Sequence, residues 1–211
     1  MRTFVRLSVL ASLAVFAQMA SASLTYNVLD ATVSYNNGDS NALTSLIDGN
    51  SITFTSVPPV GVGDGFWFAN GHAAATVSII YTVTSTEALT GLDLIFTGTA
   101  FNKAVVDYNE IVEDWSEGGG SGEILATASG SYTGAGLGGS NVPFVNETFL
   151  GFSEGVFSYK VKKTFSLTLY GDPIDSMANL GLVEQNAVLE PASMVALAVG
   201  GLGLLARRRR R

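Results

Sequence analysis

The sequence predicts an all-β protein, an antiparallel β-sandwich of jelly-roll type, flanked by an N-terminal signal peptide and a C-terminal hydrophobic helix. Three observations carry the prediction. Short runs alternate apolar and hydroxyl residues, turn residues punctuate those runs, and no stretch between Ser23 and Val188 repeats at helical spacing. Eight or nine short strands of this kind close a core by packing sheet on sheet. The chain of 211 residues leaves room for one such domain, residues 23–188, between a leader at 1–22 and a tail at 189–211.

The leader has the three parts of a secretory signal peptide. Arg2 and Arg6 are its basic start, Leu7 to Ala17 its apolar middle, and Ala20-Ser21-Ala22 its small-x-small cleavage pattern, with Ala20 and Ala22 the small residues. The apolar stretch would extend only ~16 Å as a helix, short of a ~30 Å hydrocarbon core. Signal peptidase and the secretion machinery are therefore the first expected partners, and the mature chain is expected to begin near Ser23.

Strand signals follow in order. Leu24 to Val28 and Ile52 to Val57 are short candidates. Thr76 to Thr84 puts Val77, Ile79, Tyr81 and Val83 on one face, and Leu92, Leu94 and Phe96 repeat the alternation. Val105 to Val112, Glu123 to Tyr132 and Leu180 to Asn186 complete the shorter set. Phe157, Tyr159, Val161, Phe165, Leu167 and Leu169 alternate again, but Lys163 interrupts them, which predicts a bulge or strand edge near Lys162-Lys163. Turn chemistry separates the runs at Asn36-Asn37-Gly38-Asp39, Asp48-Gly49-Asn50, Val57-Pro58-Pro59, Gly63-Asp64-Gly65 and Gly171-Asp172-Pro173. Gly118 to Gly122 and Gly134 to Asn141 are expected as longer loops within the one domain.

Charge and composition exclude several functions. Of eleven basic residues, Arg2, Arg6 and Arg207 to Arg211 lie at the ends, and Lys103, Lys160, Lys162 and Lys163 face all eighteen acids between them. That surplus of fourteen negative charges repels phosphate backbones, so no nucleic-acid partner is expected. With no cysteine and one histidine, His72, the chain lacks the ligands of a conventional zinc site. His72 beside Gly71 is read as a solvated loop residue, and no serine lies in a nucleophile-elbow motif. Asp107, Glu110, Glu113, Asp114 and Glu117, with Asn109 beside them, are read as a solvated acidic strand end. Calcium binding through their oxygens, or glycoside hydrolysis by a carboxylate pair, are the sharper alternatives. Phe66-Trp67-Phe68, Tyr108 and Trp115 offer ring faces that suit sugars, although a core of this size also needs large side chains. Asn146-Glu147-Thr148 matches an N-glycan acceptor by chance. No catalytic residue, cofactor site or metal site is assigned.

At the C-terminus, Glu190-Pro191 precedes an uncharged run from Ala192 to Ala206, and Arg207, Arg208, Arg209, Arg210 and Arg211 follow. As a helix the run covers ~23 Å, marginal for spanning a bilayer, and the arginines favour a cytoplasmic end. This series resembles a PEP-CTERM sorting signal over Leu189 to Arg211. Glu190 and Pro191 match the motif's Glu and second Pro, and Leu189 stands where its first Pro is expected. The resemblance implies export, transient membrane anchoring through the C-terminal segment and processing by an exosortase-type enzyme. It further implies a destination at the cell surface or in an extracellular matrix, often with exopolysaccharide. Together these readings predict a non-enzymatic exported protein of the bacterial surface or matrix. A carbohydrate-binding module is the first alternative, and a glycan-acting enzyme using paired carboxylates the second.

Overall fold

A computed structural model describes residues 22–65, 68–69, 72–116, 122–136, 142–170 and 176–190. Within them the chain is entirely β, with every strand pair antiparallel and no helix. The strands are β1 (Leu24–Tyr35), β2 (Ser40–Ala42), β3 (Thr44–Asp48), β4 (Ser51–Thr55), β5 (Val60–Gly65), β6 (Phe68–Ala69), β7 (Ala74–Phe101), β8 (Ala104–Asp114), β9 (Ile124–Thr133), β10 (Val142–Leu169) and β11 (Met177–Leu189).

Two of these strands, β7 and β10, run for 28 residues each and organise the molecule. The first half of β7 pairs with β1 and with the second half of β10, which continues to β8 and β9. Its second half pairs with β11 and with the first half of β10, and β4 and β5 continue from β11. Register shifts between Gly151 and Ser158 of β10, opposite Thr84 to Gly91 of β7, mark the bend between these halves. Bulges and bends are how strands pass from one layer of a sandwich to the other.

The two layers meet face to face. Phe96 of one layer sits 5.0 Å from Phe165 and 4.8 Å from Tyr108 of the other, both edge-on, and 6.0 Å from Phe144. Such ring pairs contribute about 0.5–1.5 kcal/mol each beyond their area burial. Around them Val77, Ile79, Tyr81, Val83, Leu92, Leu94, Val161, Leu167, Leu180 and Val183 are fully or almost fully buried.

Several sequence expectations are corrected here. The runs at Thr76–Thr84 and Leu92–Phe96 belong to one strand, not two short ones. There is no bulge or edge at Lys162-Lys163, where both ladders continue without a shift. Lys163 instead points into the core, 2% exposed, directly opposite Glu110. The expected leader and C-terminal helix fall on residues outside those described, apart from Ala22, Leu189 and Glu190. Among the described residues no helix is long and apolar enough to cross a membrane.

Candidate functional site

The end of the sandwich where β1 turns into β2 carries a concave groove. Asn37 makes the turn: its Oδ1 accepts from the Asp39 backbone N–H at 3.0 Å, and Gly38 takes φ 92°, which suits glycine. The turn delivers Asp39, Ser40 and Asn41 to one wall of a cavity of about 360 Å³. Pro58, Pro59, Tyr35 and His72 line the rest of it. The volume lies within the ~300–1,000 Å³ of small-ligand clefts.

His72 is not the solvated loop residue expected from sequence. Its side chain is 12% exposed, its ring stacks on Tyr35 with centroids 4.4 Å apart, and its Nε2 lies 3.9 Å from Asp39 Oδ2. The segment is drawn inward because Gly63 donates its N–H to the His72 carbonyl at 2.8 Å. Burial pushes the Tyr35 hydroxyl above its ordinary value, partly offset by hydrogen bonds to the Asn41 side chain and the Gly61 backbone. The groove therefore combines a flat ring pair, two prolines, an amide, a hydroxyl and a carboxylate. Apolar planes beside directional polar groups suit a ligand with both faces and hydroxyls.

The acidic stretch does not form one solvated end. Strand alternation sends its members to opposite faces of β8. Asp107 is exposed, Glu110 is fully buried, and Glu113 receives Lys162 Nζ at 2.5 Å. Asp114 Oδ1 accepts the Ser116 N–H at 3.0 Å, and Glu117 lies outside the described residues. Among the described residues no group of three or more His, Cys, Asp or Glu is arranged to hold a metal.

The aromatic candidates also separate. Tyr108 is buried against Phe96 and is core. Trp115 is half-buried, with Lys160 Nζ 4.6 Å above its ring. Phe66 and Trp67 lie outside the described residues, and only the backbone of Phe68 is placed, in β6. Asn146 is half-buried, with its Oδ1 accepting from the Tyr132 hydroxyl at 3.0 Å and its Nδ2 donating to Thr148 Oγ1 at 3.0 Å. Of the expected sorting and cleavage residues, Ala22 and Glu190 are described, whereas Ala20, Pro191 and Arg207 to Arg211 are not. The groove residues Tyr35, Asp39, Asn41, Pro58 and Pro59 were missed from sequence. The Asn-Asn-Gly-Asp and Val-Pro-Pro turns were visible, but nothing in the pattern brings two turns 20 residues apart to one place.

No protein-family model and no curated protein sequence matches the chain. Among solved structures, the enzymatically active domain of bacteriophage CBA120 tailspike protein 4 aligns at 16% identity and TM-score 0.33. That alignment covers 82% of this chain and 20% of the tailspike, so the chain spans about a fifth of that protein. TmCBM61 in complex with beta-1,4-galactotriose aligns at 13% identity and TM-score 0.29, covering 83% of this chain and 92% of that one. A family 11 carbohydrate-binding module from Clostridium thermocellum aligns at 13% identity and TM-score 0.27, covering 83% and 94%. With overlaps this loose, the chemistry of the groove is read from its own residues.

Proposed function

We propose that the chain is an exported, non-enzymatic protein of the bacterial cell surface or extracellular matrix, held at the membrane through its C-terminal segment until that segment is cut. The observation that supports this most is where Ser23 and Glu190 sit. The Ser23 N–H is bonded to Thr86 Oγ1 at 3.0 Å, and the Glu190 N–H to the Ala88 carbonyl at 2.9 Å. Ser23 directly follows Ala22, and Glu190 directly precedes Pro191. Both lie at the same bend of β7, so a leader and an anchor attached there would reach one membrane on one side. Glu190 is exposed and follows β11, so a cut beyond it leaves every described strand in place.

Mass spectrometry of the protein recovered from membrane and extracellular fractions tests the proposal. The expected mature chain starts near Ser23 and, once released, ends near Glu190. An intact soluble cytoplasmic chain, from Met1 to Arg211, would sink it.

The groove supports a second reading that is compatible with the first, a carbohydrate-binding body. The Tyr35 ring, stacked on His72, lines the groove together with Asp39 and Asn41. On a glycan array, Tyr35→Ala is expected to weaken binding by about tenfold or more, the loss of one good ring contact. Trp115→Ala tests the other half-exposed ring. Binding unaffected by both, or no binding to any glycan, removes this reading and leaves the sorting proposal standing.

A further inference from the structure

The interior holds a polar cluster that joins the two layers. Lys163 of β10 and Glu110 of β8 face each other within one layer, and Gln185 of β11 reaches them from the other. Lys163 Nζ donates to Gln185 Oε1 at 3.2 Å, and Gln185 Nε2 donates to Glu110 Oε1 at 2.5 Å. The Tyr81 hydroxyl donates to the same Gln185 Oε1. Glu110 Oε2 lies 3.7 Å from Lys163 Nζ and accepts no hydrogen bond, although it is buried. None of the four side chains is more than 2% exposed.

We propose that this cluster is a self-processing site, in which Lys163 Nζ and the Gln185 carboxamide condense into an isopeptide bond that ties β10 to β11 across the core and releases ammonia. The parts of an acyl transfer are in place. The nucleophile touches the carbonyl oxygen, and the carbon it must attack is one bond further. Two donors, Lys163 and Tyr81, fix which end of the amide faces them. Burial pushes the Lys163 amine below its ordinary value, only partly offset by Glu110, and so favours the neutral, nucleophilic form.

The step balances without any other reactant. The Lys163 nitrogen pair forms a bond to Gln185 Cδ, and the carbonyl electrons move to Oε1, where the Tyr81 hydroxyl stabilises the oxyanion. Glu110 accepts a proton from the attacking nitrogen and passes it to Nε2, with its two oxygens turned toward the two nitrogens involved. The Cδ–Nε2 bond breaks, ammonia leaves, and the Glu110 carboxyl is restored. Nothing is oxidised or reduced. Fixed neighbours replace a bimolecular encounter, and the burial of all four side chains keeps bulk solvent from the bond.

Condensation would replace the buried amine by an amide N–H that can donate to Glu110, and it would give a chain without cysteine a covalent tie between its layers.

A merely hydrogen-bonded cluster and a linked one differ in mass. Digestion of the denatured full-length protein after acidic residues separates Lys163, between Glu154 and Asp175, from Gln185, which follows Glu184. Mass spectrometry is expected to find one branched species carrying both peptides, lighter than their sum by one ammonia. Two unlinked peptides from a wild-type chain that was folded by near-UV circular dichroism overturn the proposal, as does a branch at Glu110 with loss of water. Glu110→Gln keeps the shape of the side chain and is expected to leave the peptides unlinked. A branch that persists in that variant overturns the proton-carrying role. The wild-type digest decides the bond by itself, whether or not the variant folds.

Discussion

Lys163 occupies a position where alternation along its strand asks for an apolar side chain. In one dimension a lysine there looks like an interruption, and a bulge is the natural inference. Its acid partner is 53 residues away in the chain, and only the β8–β10 register sets Glu110 opposite it. The same interior shapes three tyrosines. Burial pushes Tyr26 up to about 12 and holds Tyr81 and Tyr159 well above their ordinary value of 10.0. Below pH 10 these phenols are neutral in both folded and unfolded chains and do not affect the balance. Above it, the unfolded chain loses protons that the folded chain keeps, so stability falls as pH rises from about 10 through the folded values. Alkaline titration should therefore show these tyrosines ionising together with loss of the near-UV circular dichroism signal. Full tyrosinate absorbance in a chain that is still folded would contradict this.

The long strands explain why the chain reads as many short ones. In the first half of β7 the odd positions Val77, Ile79, Tyr81 and Val83 face inward, and in the second half the even positions Leu92, Leu94 and Phe96 do. The halves of β10 differ likewise, with Phe144 and Leu150 buried before the bend and Tyr159, Val161 and Phe165 after it. A change of parity looks like a strand boundary when the register is unknown. Close packing beyond the bend depends on Gly98 of β7. A Cβ there would sit 2.4 Å from the Asn179 carbonyl oxygen on β11 and 2.3 Å from the Phe144 ring on β10. Both neighbours would have to move, and one is backbone of the adjacent strand. Gly98→Ala is accordingly expected to destabilise the protein by about 1–3 kcal/mol, the usual cost of overpacking. Its urea midpoint should fall with an unchanged slope.

For the whole molecule, Ser23 and Glu190 are tied to one bend of β7, at Thr86 and Ala88, so on the sorting proposal both processing points lie on one side of the described body. On that proposal, the strongly acidic body between the terminal arginines would, once cut, be repelled by an anionic membrane surface. That is why the mapped mature ends, rather than any activity, are the decisive measurement for the sorting proposal. By itself the sequence determined the all-β class and most of the strands, because side-chain alternation and turn chemistry are local and need no knowledge of neighbours. The series that resembles a sorting signal is likewise a linear pattern. Only the tertiary structure decided that two strands serve both layers, that Tyr35 and His72 share a groove, and that Lys163 meets Glu110 and Gln185. Those outcomes depend on register between strands far apart in the chain, where a shift of one residue would send every one of these side chains to the opposite face.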